Sequence, residues 1–317
     1  MAYGEDAVIS IIMPVYNEGE HIRNSVGMVE QLLKEHQIDY EFVLVDDGSK
    51  DNSWEQLSRL ARENEKVTSV RLSRNFGKEA ALCAGLDHAT GDAVIVMDAD
   101  LQHPMELIPE LVREWREGGF DVVEGVKSSR GSEGLLYKCC AKGFYAFLLK
   151  VTGIDLRNAS DYKLLDRKVV EAMKLMPEKV TFFRGMSAWV GFERKQVAFE
   201  VQERVMGKTK WSLRKLANLA VSAITSYTSV PLQLVTVLGV VMFLVSVVLG
   251  AQTFIRWMLG SALEGFTTVI LLQLFIGSML MISLGIIGMY LMKIYHEIKG
   301  RPRYLVSKKI KGGAEEC

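Results

Sequence analysis

The chain is short of cysteine and has no surplus charge of either sign. Its four cysteines, Cys83, Cys139, Cys140 and Cys317, show no C-x-x-C spacing, and two of them are adjacent. That pattern excludes a disulfide framework or a zinc site and fits reduced thiols in a cytosolic setting. Lysine plus arginine and aspartate plus glutamate are both 38 in 317 residues, so net charge names no partner. No nucleic-acid partner is expected. No secretory signal is expected either: residues 1–7 carry Glu5 and Asp6 without a basic residue, and the apolar run 8–13 closes at Pro14. Repeats and low-complexity tracts are absent.

What the chain does have is alternation. Apolar runs at 8–13, 42–45, 67–72, 93–97 and 122–126 are separated by segments of helical periodicity at 21–35, 53–63, 78–88 and 105–117. This order predicts an α/β domain with a mostly parallel sheet, and the unbroken apolar run 93–97 predicts a strand covered on both faces. Ligands of such sheets bind outside the carboxyl ends of the strands. The fourth run stops on Asp98-Ala99-Asp100-Leu101-Gln102-His103-Pro104. Two carboxylates there can hold a hard divalent cation and leave positions for phosphate and water. The same acids can also be turn formers or helix caps. The first run ends in Pro14-Val15-Tyr16-Asn17-Glu18, where Tyr16 can cover a flat base. The second ends in Val45-Asp46-Asp47-Gly48-Ser49, where a carboxylate can accept from a nucleobase N–H or a ribose hydroxyl. Asp51 and Asn52 follow as helix-cap candidates. The third leads into Ser73-Arg74-Asn75-Phe76-Gly77-Lys78, a polar loop whose lysine can reach an anion.

In order and spacing these four loops resemble those of the GT-A-fold family-2 glycosyltransferases, in particular their polyprenyl-phosphate branch, and the likeness covers nearly the whole chain. The resemblance implies a Rossmann-like GT-A nucleotide-sugar domain. It implies a nucleotide lined by Pro14, Tyr16, Glu18, Val45 and Asp47, and Mg²⁺ or Mn²⁺ among Asp98, Asp100 and Gln102. Lys78 and Ala99 are expected to complete the donor site. Where the family often has an arginine after the fifth strand, this chain has Lys127, which keeps the charge without the planar fork. Arg130 lies close by and can take part of that role. Asp161 matches the acid that the family places near the reaction centre. It would act as a base toward a hydroxyl acceptor. A lipid phosphate is already anionic, so Asp161 can instead orient sugar or acceptor. Asp166 reads as the N-cap of the next helix. Arg204 and Lys210, in the basic segment 202–211, match phosphate ligands of a closing loop; a solvated basic loop leading to a membrane has the same composition.

Residues 134–153 read as a packing helix whose aromatic and aliphatic face can also touch a membrane surface. Residues 211–227 are amphipathic and predict a helix lying in the interface. Two uncharged stretches follow, 232–255 and 266–292, each longer than the ~20 residues that cross a hydrocarbon core. Lys208, Lys210, Arg214 and Lys215 before them, and seven cations from Lys293 to Lys311 after them, put both flanks on the cytoplasmic side. Small residues such as Ser278 and Gly285 permit close helix packing and a homo-oligomer.

The expectation is therefore a GT-A catalytic domain at 1–210, a juxtamembrane amphipathic helix at 211–229, a two-span transmembrane hairpin at 230–294 and a basic cytoplasmic tail at 295–317. The expected activity is inverting, metal-assisted transfer of a sugar from a nucleotide-sugar to polyprenyl phosphate at the cytoplasmic membrane. A different lipid acceptor, or a silent scaffold that only holds a lipid carrier, are the alternatives. Neither the sugar nor the choice between UDP and GDP is written in these residues.

Overall fold

The computed structural model describes residues 7–100, 103–127, 146, 149–150, 160–176, 178, 182–199, 228, 230–259 and 265–316. The calls on Gln102, Arg130, Arg204, Lys210, the helix 134–153 and the amphipathic segment 211–227 lie outside the described residues. The chain separates into two units, Met1–Met206 with Arg301–Cys317, and Gly207–Gly300.

The first unit alternates as expected: β1 (Ile9–Val15), α1 (Ile22–Glu35), β2 (Tyr40–Asp46), α2 (Ser53–Glu63), β3 (Val67–Leu72), α3 (Lys78–His88), β4 (Ala93–Val96), then a 3₁₀ turn (Met105–Leu107) running into α4 (Ile108–Arg116), and β5 (Val122–Lys127). Three further elements follow: β6 (Lys163–Asp166) leads directly into α5 (Arg167–Lys174), and α6 (Phe183–Trp189) precedes β7 (Arg194–Phe199). Period-two alternation splits each central strand between two cores. Ile9, Ile11 and Met13 of β1, Phe42 and Leu44 of β2, and Ala93, Ile95 and Met97 at β4 pack with α1, α2 and α4. Ile12, Val43, Val45, Val94 and Val96 point the other way, onto α3, α5 and α6. Most positions of these strands are therefore apolar, because both faces are covered, with Ser10 and Asp46 buried as polar exceptions. Gly85 lets α3 lie close on the sheet: a Cβ there would sit 2.4 Å from Ile12 Cγ2.

The sheet order is β7-β5-β6-β4-β1-β2-β3-β8-β9. Its centre, β4-β1-β2-β3, is parallel, as the alternation predicts. Both sides are extended by antiparallel pairing. β6 inserts between β4 and β5, antiparallel to both. Asp166 closes β6 and caps α5 by accepting from the Lys168 N–H at 2.9 Å, while its other oxygen takes the buried Trp115 Nε1–H at 2.7 Å.

The C-terminal residues differ from the expected tail. β8 (Val306–Lys311) runs antiparallel to β3, and β9 (Ala314–Glu316) pairs with β8. Ile310 is 1% exposed and joins the core shared with α2, while Lys308 and Lys311 stay outside. One buried residue among lysines suits a strand near the rim of the sheet, and β9 pairs with its outer side. Just before β8, the Arg303 guanidinium donates to the carbonyls of Met176 and Glu178, and the Tyr304 hydroxyl donates to Asp87.

In the second unit α7 (Val230–Met258) and α8 (Phe266–Ile298) contain windows of 27 residues each, Val230–Arg256 and Leu272–Ile298, long and apolar enough to cross a membrane. At 1.5 Å per residue each window is about 40 Å long, enough to cross a ~30 Å hydrocarbon layer. α8 runs beyond Met292, where the span was expected to stop. The Tyr290 hydroxyl donates to the Thr228 carbonyl at 2.7 Å.

Candidate active site

The strand order reverses beside β1. Its chain partners β2 and β3 lie to one side, and β4, reached through α3 on the opposite face, lies to the other. Loops from β1 and β4 diverge at such a point and leave a crevice. Here the crevice is a cleft of about 290 Å³, lined by Pro14, Val15, Tyr16, Glu18, Asp47, Asn75, Gly77, Lys78, Ala81, Asp98, Ala99 and Asp100. The structure thus brings together Pro14, Tyr16, Glu18, Asp47, Lys78, Asp98, Ala99 and Asp100. Val45 is different: it is fully buried against α3 and offers the cleft no side chain, because it is the inward residue of its strand.

The rim is built by local hydrogen bonding. Asn17 adopts φ 56°, a left-handed conformation that asparagine tolerates. Its amide donates to Ser49 Oγ at 2.9 Å and its side chain accepts from the Lys50 N–H at 3.0 Å. Asp51, more than Asn52, opens α2: its Oδ1 accepts from both the amide and hydroxyl of Ser53, at 3.0 and 2.6 Å. The Asp51 Oδ2 takes the Gly19 N–H at 3.2 Å, which ties the loop after β1 to α2. Gly48 turns at φ +66° against the backbone of Arg74, where a Cβ would meet the carbonyl carbon at 2.5 Å. Asp47 holds the loop after β3, with Oδ1 accepting from Phe76 N–H at 2.7 Å and Oδ2 from Gly77 N–H at 2.9 Å. Both carboxylate oxygens therefore organise the loop that presents Lys78, and burial raises the Asp47 pKa against those two bonds. The sequence suggested contact with the nucleotide and gave no sign of this second task.

Acids and bases then alternate away from the cleft. Lys78 Nζ lies 2.6 Å from Asp98 Oδ1 and 3.2 Å from Asp161 Oδ2. Arg184, on α6, clamps Asp161 with two parallel bonds, Nε to Oδ1 at 2.7 Å and Nη2 to Oδ2 at 2.9 Å. Burial works to raise the Asp161 pKa, but Arg184 and then Lys78 outweigh it and hold the carboxyl well below the usual range. Burial likewise lowers the Lys78 pKa, and its two carboxylate partners more than reverse that. Glu18 is pushed up, by burial first and by the negative charge of Asp100 second.

Among the described residues no group of three His, Cys, Asp or Glu side chains could enclose a metal. Asp98 and Asp100 share the cleft, and Glu18 is near enough to feel Asp100. Two hard oxygen ligands on an open cleft fit Mg²⁺ or Mn²⁺ shared with a phosphate-bearing ligand, and do not fit a closed structural site.

The strand that brings Asp161 here is fastened on both sides. Tyr162 is fully buried, donates to the Pro104 carbonyl at 3.0 Å, and stacks on His103 with ring centroids 4.9 Å apart. The loop after Asp100 is thereby tied to β6. Lys163 is also fully buried; its Nζ donates to Glu124 Oε1 at 2.6 Å and Ser187 Oγ at 2.7 Å. Ser187 in turn donates to the Arg184 carbonyl at 3.2 Å, so the ion pair steadies α6. Lys127 ends β5, paired with Phe199. Sequence reasoning missed Arg184: it lies 23 residues from Asp161 on a seven-residue helix, and no local pattern marks it.

A family model described as glycosyl transferase family 2 matches residues 10–172. The chain belongs to that family. The match spans the strands from β1 to β6, including every loop of the cleft, and the architecture is the GT-A fold. Over 301 residues this glycosyltransferase is 42% identical to an uncharacterised glycosyltransferase of Synechocystis, with 94% of each chain covered. It is 38% identical to a bactoprenol glucosyl transferase of Shigella phage SfII, over 96% of this chain and 99% of the relative. Among solved structures, a glucosyl-3-phosphoglycerate synthase of Mycobacterium tuberculosis in complex with Mn²⁺, UDP-glucose and phosphoglyceric acid superposes with a TM-score of 0.46. It is 25% identical, with 69% of this chain and 78% of that one covered.

Proposed function

We propose that this glycosyltransferase is membrane-anchored and moves one sugar, with inversion, from a UDP- or GDP-sugar to the phosphate of a polyprenyl carrier such as undecaprenyl phosphate. The observation that carries the reading is the meeting of Asp98, Asp100 and Lys78 in one cleft beside Tyr16 and Asp47. Full-length similarity to bactoprenol glucosyl transferases supports the acceptor.

Tyr16, 43% exposed, offers a face for a base. Asp98 and Asp100 would hold Mg²⁺ or Mn²⁺, which when bound supplies Lewis-acid stabilisation of the departing diphosphate. Lys78 adds a cation aimed at the same charge. The acceptor phosphate attacks the anomeric carbon from the face opposite the diphosphate, so the new bond forms as the old one breaks. No proton has to be removed from such a nucleophile. Asp161 suits that: clamped by Arg184 and Lys78, it stays ionised at neutral pH and orients its neighbours.

Attachment to a bilayer serves proximity, because a polyprenyl carrier stays in the membrane. α7 and α8 are apolar and outward-facing, with no part of their apolar windows buried. Residues before α7 and after α8 belong to one sheet, since β8 pairs with β3. A chain that leaves a domain and rejoins it crosses a membrane an even number of times. Two spans and a basic flank on both sides therefore support a catalytic domain and C-terminus that are both cytoplasmic.

The test is transfer by the full chain in bilayers containing undecaprenyl phosphate, with a panel of labelled UDP- and GDP-sugars. A lipid product that survives alkali and is cleaved by mild acid is expected from one donor. No lipid product from any donor, with nucleotide still bound, would refute the acceptor.

A further inference from the structure

Sugar transfer to a phosphate brings two anionic substrates together. Lys78 and the Asp98/Asp100 pair answer the donor's diphosphate, and the second anion needs a cation of its own. Arg184 stands where that cation is required. From the cleft outward the order is Asp98, Lys78, Asp161, Arg184, each within ion-pair distance of the next. Lys78 and Asp98 line the donor cleft, whereas Asp161 and Arg184 do not.

We propose that Arg184 receives the acceptor's phosphate monoester, with Asp161 holding the guanidinium oriented toward it; this rests on the acceptor reading above. Exposure supports the division of labour. The Asp161 side chain is 12% exposed and that of Arg184 is 42% exposed, so the carboxylate is the inner, fixed member and the arginine the more accessible one. The two parallel bonds to Asp161 use the Nε–Nη2 edge and fix the plane of the guanidinium, whose remaining N–H groups are of the kind with which arginine binds phosphate.

The surrounding contacts set where the cation stands. Glu79, next to the donor-side Lys78, accepts the Phe183 N–H at 2.6 Å and so fixes the start of α6. Lys163 and Ser187 fix the following turn. One turn of α3 thus sets both the cation that meets the diphosphate and the helix that carries Arg184. The spacing between two substrates is thereby built into the protein, which is what an in-line displacement needs.

The experiment uses the full chain in detergent with farnesyl phosphate as the acceptor probe, titrated without donor, and UDP-sugar titrated separately. Arg184→Gln is expected to weaken farnesyl phosphate binding about ten- to a hundredfold, the range for a charge-assisted pair of bonds. Its donor affinity stays within about twofold of wild type, which also reports that the variant is folded. Arg184→Lys recovers part of the loss. The same substitution in an Asp161→Asn background separates binding from positioning. A further loss there supports direct contact with phosphate, and no further loss overturns the proposal in favour of Arg184 acting only through Asp161. Unchanged farnesyl phosphate binding in Arg184→Gln overturns it outright. Wild-type transfer to undecaprenyl phosphate, measured alongside, tests the acceptor reading separately. Arg184-dependent phosphate binding without transfer sinks only that reading. Transfer that ignores Arg184 sinks only this inference.

Discussion

Replacing Lys163 by methionine removes one member of an ion pair in which both side chains are 0% exposed. Methionine fills a similar volume, so the main loss is electrostatic. Glu124 would stay buried with Arg194 as its remaining partner at 2.7 Å. Breaking a buried pair from one side costs about 3–5 kcal/mol, and the surviving Arg194 contact puts this case near ~3 kcal/mol. For a domain of this size that corresponds to a fall in melting temperature of roughly 6–12 °C. The Ser187 hydroxyl loses its donor too, and the cation 5.5 Å from the Phe183 ring centroid is gone, so α6 loosens first. Adding Glu124→Leu removes the stranded charge and lets Arg194, already 21% exposed, turn to solvent. The double variant is expected to regain more than half of the loss, as apolar replacements of buried pairs do. Thermal denaturation of the full chain in detergent, followed by intrinsic fluorescence, measures both. A single variant that loses less than about 1 kcal/mol, or a double variant no more stable than the single, would refute the assignment of this pair as a charged anchor.

Gly48→Ala puts a side chain on a residue at φ +66° and 2.5 Å from the Arg74 carbonyl carbon, so the loops after β2 and β3 must separate. It is expected to cost more than about 1 kcal/mol and to weaken nucleotide binding; unchanged UDP affinity by calorimetry would contradict that. Ile310→Lys places a charge at a 1% exposed position and should lower stability by about 2–3 kcal/mol. An unchanged melting temperature would mean that β8 is not part of the folded sheet. Asp161 has a folded pKa below its ordinary 3.8, because Arg184 and Lys78 outweigh burial. Its contribution is therefore present above about pH 4 and lost as pH falls through the folded value, so Asp161→Asn should flatten the acid limb of stability below about pH 4. An acid limb identical to wild type would remove the clamp from the account.

The parts of this fold most legible in the sequence were those buried on both faces. Predominantly apolar runs marked β1 to β5, and the loops at their ends marked most of the cleft. The four-residue β6 was harder, since Lys-Leu-Leu-Asp reads as polar at both ends; its lysine and aspartate are buried only because Glu124 and Trp115 meet them. β8 was hidden for the opposite reason: a single buried Ile310 among lysines looks like a solvated tail. Its place beside β3 also means that cutting the chain after Ser229 would remove a strand of the catalytic sheet as well as the apolar helices. The family resemblance put Val45 at the nucleotide, yet strand alternation turns its side chain inward. Arg184 could not be found by spacing, because its relation to Asp161 is made by packing of α6 and not by any periodic pattern.

The most direct test of the central claim compares the wild-type chain and Asp100→Asn in bilayers with undecaprenyl phosphate, labelled donor, and Mn²⁺, Mg²⁺ or chelator. Wild type is expected to form lipid-linked sugar only with a divalent cation, and Asp100→Asn to remain folded in the membrane and form none. Full transfer by Asp100→Asn, or by wild type in chelator, would contradict a reaction built on the Asp98/Asp100 cleft.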